Sequence, residues 1–229
     1  MLPELAARFS RLGGVFLAPP ERIAERLRGV RGLVFDWDGV FNAGAKGEGA
    51  PSTFNEADSM GTNLLRYALW LAQGERLPFT AVITGVDNPS ARSFAEREHL
   101  HAIYYNAKNK GVVLAELCAA HGLAPEELAC VFDDVNDLGV AAACGVRVLV
   151  RRDASPLLQD YVARAGLCDY ITAQPAERNA VREASELMLG LTGAFDRVVA
   201  SRIAWDEPYA RYFAARQAQP TELFDRAPR

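Results

Sequence analysis

The sequence predicts an α/β fold, a doubly wound (Rossmann-like) parallel sheet, from three observations. Short apolar runs recur at Leu33-Val34-Phe35, Phe79-Thr80-Ala81-Val82-Ile83, Ala102-Ile103-Tyr104-Tyr105 and Leu128-Ala129-Cys130-Val131-Phe132, as expected of strands buried on both faces. Stretches of helical pattern separate them, which is the signature of a parallel sheet with crossover helices. Three of the four runs stop at polar residues: Asp36 and Asp38, Thr84, and Asp133 with Asp134. The C-terminal ends of parallel strands share one edge, where such sheets place their chemistry.

The chain has 229 residues, 50% hydrophobic and 24% charged, with a net charge of −4. That length allows one large α/β domain or two small ones, and the charge gives no footprint for nucleic acid. No apolar run is long enough to span a membrane. Leu12 to Ala18 follows two arginines but is short and runs into Pro19-Pro20, so it is not read as a signal peptide. Cys118, Cys130, Cys144 and Cys168 show no C-x-x-C spacing and lie in apolar contexts. Buried free thiols and a cytoplasmic location are expected.

Residues 1–30 read as an N-terminal helical extension, broken at Gly13-Gly14 and Pro19-Pro20. After the first strand, Asn42 to Pro51 is glycine-rich and reads as a loop or small hairpin, with Ser52-Thr53-Phe54 as a candidate return strand. Asp58 or Ser59 is a plausible N-cap for a helix through Leu64, Leu65, Ala68, Leu69 and Ala72. Asn88-Pro89 reads as N-cap plus first-turn proline of a helix to about His99. Lys110 opens a helix ending near His121-Gly122, and a short helix reaches Cys144-Gly145. Arg147–Val150 and Tyr170–Thr172 are weaker strands, with a helix from Ser155-Pro156 between them. Helices around 177–191 and 195–215 close the chain, and the polar tail after Gln217 reads as frayed. The proposed division is 1–30, a core domain over 31–192, and a C-terminal helix and tail over 193–229.

Side chains alternate along a strand, so Asp36 and Asp38 point one way and Trp37 the other. With Thr84, Lys110, Asp133, Asp134 and Asp137 they put five carboxylates, a hydroxyl and an ammonium at one crevice. Carboxylates crowd together only with compensating cations. Lys110 supplies one charge, and a hard divalent ion with oxygen ligands supplies the rest; Mg²⁺ suits carboxylates, waters and a substrate phosphate. The absence of clustered His and Cys argues against zinc. A carboxylate so placed can attack a phosphoryl group, with a hydroxyl and an ammonium holding the equatorial oxygens.

The order D-x-D-G, strand-Thr-Gly, Lys, D-D-x-x-D resembles the haloacid dehalogenase superfamily of phosphatases. More narrowly it is similar to the 3-deoxy-D-manno-octulosonate 8-phosphate phosphatase group and its sialic-acid-type relatives. The likeness covers Leu33 to Leu191 and includes Phe54–Gly61 and the segment Arg178-Asn179-Ala180-Val181-Arg182-Glu183. The resemblance implies Asp36 as nucleophile and Asp38 as general acid/base, both binding the metal. It implies Thr84, Gly85 and Lys110 on the phosphate, Asp133 as metal ligand, and Asp134 and Asp137 in support. Asp58 and Arg178 are candidates for substrate binding, and the expected substrate is a small phosphorylated sugar acid.

There are departures: Asn42 for the usual Thr, Ser59 for Gly, Val86 for a cation after Thr-Gly, and Phe132 for the Gly before Asp133, adding bulk next to the metal. They motivate a second reading, a catalytically weak or inactive relative acting as a binding or regulatory subunit. His99, His101 and His121 read as surface or helix-end residues, and Arg151-Arg152 as a solvated strand end. Trp205, Tyr209, Tyr212 and Phe213 read as a packing stripe. Asp36 and Thr84 are 48 positions apart (84 minus 36) and Thr84 and Lys110 are 26 apart (110 minus 84). Neither interval leaves room for a cap domain of ~50 residues. The catalytic edge of a lone subunit is therefore expected to be open to water, and the resemblance implies a homo-oligomer, a tetramer built through the hairpin, that helps close the site.

Overall fold

Eight strands among the described residues form one sheet in the order β1-β7-β6-β5-β2-β3-β4-β8. The structure, a computed structural model, describes residues 2–47, 49 and 52–227. The central strands are β2 (Gly32–Phe35), β3 (Phe79–Ile83), β4 (Ala102–Tyr105) and β5 (Leu128–Phe132), at the positions of the four apolar runs. β6 (Val146–Leu149) and β7 (Tyr170–Ile171) extend the sheet on one side, and every pairing among these six is parallel.

Alternation along each strand divides the core into two layers. Leu33, Phe35, Val82, Val131 and Val148 face α1 (Leu2–Leu12), α2 (Pro20–Leu27), α3 (Glu56–Ala72), α4 (Pro89–Arg97) and α8 (Ala180–Leu191). Val34, Ile83, Cys130 and Phe132 face α5 (Lys110–His121), α6 (Leu138–Ala141) and α7 (Pro156–Arg164). Phe132 therefore buries its ring in the second layer, and the bulk expected beside the metal goes into the core instead. The four cysteines are buried and unpaired.

The terminal segments differ from expectation. Gly14 is followed by β1 (Val15–Phe16), which pairs antiparallel with β7. The tail is ordered as β8 (Glu222–Asp225), parallel to β4, rather than frayed. Backbone pairing at an open sheet edge tolerates a polar strand because one face and one edge stay in water. The last predicted helix is two, α9 (Phe195–Ala204) and α10 (Glu207–Gln217). Trp205 breaks it at φ 48°, and the Asp206 side chain accepts the Tyr209 N–H at 3.0 Å to start the next. The stripe docks α10 on this chain's own α3: Tyr209 and Tyr212 are buried against Tyr67, and the Tyr212 hydroxyl donates to Asn63 Oδ1 at 3.0 Å.

The expected hairpin is not formed by the described residues of 42–54. Asp38 and Asn42 make one isolated bridge, and the described residues from 43 to 54 carry no strand. Gly44 and Gly47 both have positive φ, and no apolar alternation specifies a register. Glu48, Ala50 and Pro51 lie outside the described residues. Only this loop and α3 lie between β2 and β3, and only α4 and β4 between β3 and α5, so there is no cap domain among the described residues.

Candidate active site

Strand register assembles the site. Phe35 lies level with Val82 on β3 and Val131 on β5. Thr84, two residues beyond Val82, and Asp133, two beyond Val131, therefore sit within one residue of the level of Asp36. The Asp36 N–H donates to Val131 O at 3.0 Å, carrying the ladder past the end of the strand. Trp37 turns into the core, stacked on Phe41 at 4.9 Å, so that Asp36 and Asp38 both face the opposite side. Gly39 makes the turn at φ 91°, and a Cβ there would stand 2.0 Å from Asp133 Oδ2; only glycine fits.

Lys110, at the first position of α5, is almost wholly buried. Its ammonium donates to Asp36 Oδ1 at 2.5 Å and to Asp137 Oδ1 at 2.6 Å. Carboxylate oxygens of Asp36, Asp133 and Asp137 all lie within 4.8 Å of one another. Burial pushes each of these three carboxyls up to about 6, with neighbouring carboxylates adding to the rise. Burial pulls Lys110 the other way, but Asp36 and Asp137 outweigh it and its pKa rises. Asp38 is held from three sides: Ser52 Oγ donates to its Oδ1 at 3.2 Å, Asn88 Nδ2 at 3.4 Å, and Lys46 pairs with Oδ2.

These groups line a cavity of about 350 Å³, with Thr84, Gly85 and Val86 on its β3 side. Among the described residues, five carboxylates (Asp36, Asp38, Asp133, Asp134, Asp137) face four cations (Lys46, Lys108, Lys110, Arg152). A phosphate dianion entering that wall carries the deficit further, so the donor set, all hard oxygens, fits a divalent cation held by Asp36, Asp133 and Asp137. No histidine or cysteine among the described residues lines it.

Two predicted residues are elsewhere. Asp58 is buried on α3, where it accepts the Arg182 N–H at 2.8 Å and Asn179 Nδ2 at 3.3 Å. It ties the start of α8 to α3, and both its oxygens are used there. Arg178 lines a second cavity, of about 740 Å³, between α1 and α8. Asp134 is at the rim, its Oδ1 accepting the Val135 N–H at 2.7 Å and so capping the turn that carries Asp137.

Three cations of the cavity go beyond the sequence expectation. Lys46 comes from the glycine-rich loop; Lys108, just before α5, donates to Gly85 O at 2.9 Å. The arginine pair expected as a solvated strand end splits. Arg151 Nε binds Asp153 Oδ1 at 2.7 Å, whereas Arg152 turns in and pairs with Asp133. The signal is present in the sequence, since Arg152 follows β6, whose C-terminal end lies on the same edge.

An open α/β sheet with a buried Asp–Lys–Asp chain beside a third carboxylate, and no cap among the described residues, defines a phosphoryl-transfer class of fold and site. No family model matches the chain. It is 31% identical over 179 residues, 76% of this chain and 87% of the relative, to the 3-deoxy-D-manno-octulosonate 8-phosphate phosphatase KdsC of Escherichia coli K12. The fold is similar to that of a 3-deoxy-D-manno-octulosonate 8-phosphate phosphatase from Yersinia pestis, with TM-score 0.62 and 28% identity over 76% of this chain and 89% of that one. It is also similar to the enzyme of that name from Moraxella catarrhalis, with TM-score 0.64 and 24% identity over 78% and 97%; that structure holds magnesium, phosphate and KDO. The chain belongs to the KdsC-like phosphatases.

Proposed function

We propose that this chain is a Mg²⁺-dependent phosphatase that hydrolyses the phosphate monoester of a small sugar acid. The observation that carries the reading is the convergence of Asp36, Lys110, Asp133 and Asp137 on one cavity, with Asp38 two residues from Asp36 on the same side. The names of the relatives, and the KDO bound to the Moraxella catarrhalis enzyme, support a sugar acid as substrate.

Asp36, Asp133 and Asp137 would hold Mg²⁺, with Asp38, the further ligand that the resemblance implies, beside them in the same cavity; the ion would supply charge to offset the phosphate and the crowded carboxylates. An Asp36 oxygen attacks phosphorus, and the sugar oxygen departs with a proton from Asp38. Asp38 then takes a proton from the water that attacks phosphorus, and Asp36 is released. Lys110 keeps Asp36 aimed and neutralised, and with Thr84 and the Gly85 backbone it receives phosphate oxygens. Turnover of phosphorylated sugar acids is expected to stop in excess chelator and to return with Mg²⁺ better than with Ca²⁺, whose looser coordination misplaces the attack. Full activity in chelator would overturn the reading.

The elevated carboxyls give a second test. Between the unfolded value of 3.8 and the folded value of about 6, the native state keeps protons that the unfolded chain has lost. Through these groups, stability without metal falls as pH rises across that window and stays low above it. Metal binding needs the ionised forms. Mg²⁺ should therefore raise the melting temperature more at pH 7.5 than at pH 5; an equal or larger rise at pH 5 would count against this site.

Among the described residues no cap covers the catalytic edge, and α9 and α10 contribute no residue to the cavity wall. A homo-oligomer, as a tetramer, would shield the edge from water. Light scattering at assay concentration checks this; a fully active monomer contradicts it.

A further inference from the structure

Two of the cavity's cations are exchangeable and one is not. Lys110 is 5% exposed, sealed between Asp36 and Asp137. Arg152 is 40% exposed on a partner, Asp133, that is only 4% exposed, and Lys46 is 56% exposed on Asp38. Ion pairs with one solvated arm hold weakly and trade partners readily. Across the cavity Val86 offers no charge, and Lys108 is engaged with the Gly85 carbonyl. Arg152 therefore brings the cavity the sole guanidinium among the described residues, the group whose planar fork matches a carboxylate.

The carboxylate that pairs with Arg152 is also one of the three that would hold a divalent cation. With a cation held by Asp36, Asp133 and Asp137, like charges repel and the guanidinium loses its partner. It stays tethered to the end of β6 at the cavity wall, facing the space that the sugar must occupy. We propose that Arg152 is a specificity-determining residue: in the metal-loaded site it leaves Asp133 and receives the carboxylate of the substrate. Metal loading and selection of acidic sugars are then coupled, because the arm that recognises the acid is released by the metal. This rests on the sugar-acid phosphatase reading above.

The test has two arms. The first is the ratio of kcat/KM for 3-deoxy-D-manno-octulosonate 8-phosphate to that for D-mannose 6-phosphate, a neutral sugar ester. Arg152→Gln should lower this ratio by about 10- to 100-fold, through KM for the acid, the scale of a lost hydrogen-bonded charge. Arg152→Lys should restore only part, since an ammonium has no fork. An unchanged ratio, with both esters slowed alike, would mean that Arg152 only steadies Asp133, and would overturn the proposal. The second arm is calorimetric titration with Mg²⁺ alone. Without its competitor, Asp133 should bind Mg²⁺ about 3- to 10-fold more tightly in Arg152→Gln, by mass action between two ligands of one site. Equal or weaker binding overturns the handover. A wild-type enzyme with no preference for the acid sinks the sugar-acid reading and the specificity role with it, while the titration still decides whether metal and Arg152 compete.

Discussion

Asp36→Asn is expected to fold normally and to show no measurable phosphatase turnover. Asparagine matches aspartate in shape, and its carbonyl oxygen still accepts the Lys110 ammonium that Asp36 Oδ1 accepts at 2.5 Å. The Asp36 backbone N–H to Val131 O bond that extends the sheet is untouched. An amide is not a nucleophile toward phosphorus, so the covalent step is lost outright rather than slowed. Removing one charge from a cluster in which burial holds three carboxyls at about 6 relieves repulsion. The variant should therefore be no less stable than wild type without metal. Circular dichroism, thermal melts and an ester hydrolysis assay read all three outcomes; wild-type rates with Mg²⁺ would exclude Asp36 as nucleophile.

Lys110→Met should damage both activity and stability. Methionine fills much of the space but leaves Asp36, Asp133 and Asp137 within 4.8 Å of one another without their buried cation. Removing one partner of a buried ion pair costs about 3–5 kcal/mol. The loss should depend on pH with a defined sign. Without Lys110 the carboxyls rise further above their present value of about 6. The folded state then binds more protons than the unfolded chain up to a higher pH. Destabilisation is greatest above neutrality and shrinks as pH falls and the carboxyls protonate. Urea melts at pH 7.5 and pH 5.5 measure it. Mg²⁺ should recover part of the stability, but turnover should stay down by about 10²–10³ because the phosphate loses a preorganised charge. A variant as stable as wild type at pH 7.5 would mean that Lys110 does not hold the cluster together.

The central strands are legible because burial on both faces leaves nearly unbroken apolar runs, and Leu33–Phe35 and Phe79–Ile83 have no other reading. The polar residues ending those runs give Asp36, Thr84 and Asp133, and parallel register does the rest. The edge strands carry no such signal. β1 is two residues long between glycines and prolines, and β8 contains Glu222 and Asp225, both exposed. Backbone pairing specifies them, and backbone pairing leaves little trace in side-chain pattern. The break between α9 and α10 is visible in Asp206 and Pro208 but is masked by the run of helix-period aromatics.

Asp58 and Arg178 show the opposite failure. Both sit in segments that match the family pattern, yet α8 starts against α3, so Asp58 spends its oxygens on Arg182 and Asn179. Arg178 is carried to the α1 side. Sequence adjacency to a motif does not give direction. Arg152 escapes sequence reasoning because two adjacent arginines at a strand end look solvated, and only the burial of Asp133 shows why one of them turns inward.

The most direct measurement is to trap the enzyme during turnover with borohydride, which reduces an acyl phosphate to the alcohol, and to map the product by peptide mass spectrometry. With phosphorylated sugar acid and Mg²⁺ present, position 36 should read as homoserine in place of aspartate, and no other position should change. Trapping should vanish in chelator and in Asp36→Asn. Homoserine at position 38 or 133, or steady turnover with unmodified Asp36 and no trapped adduct, would contradict the account.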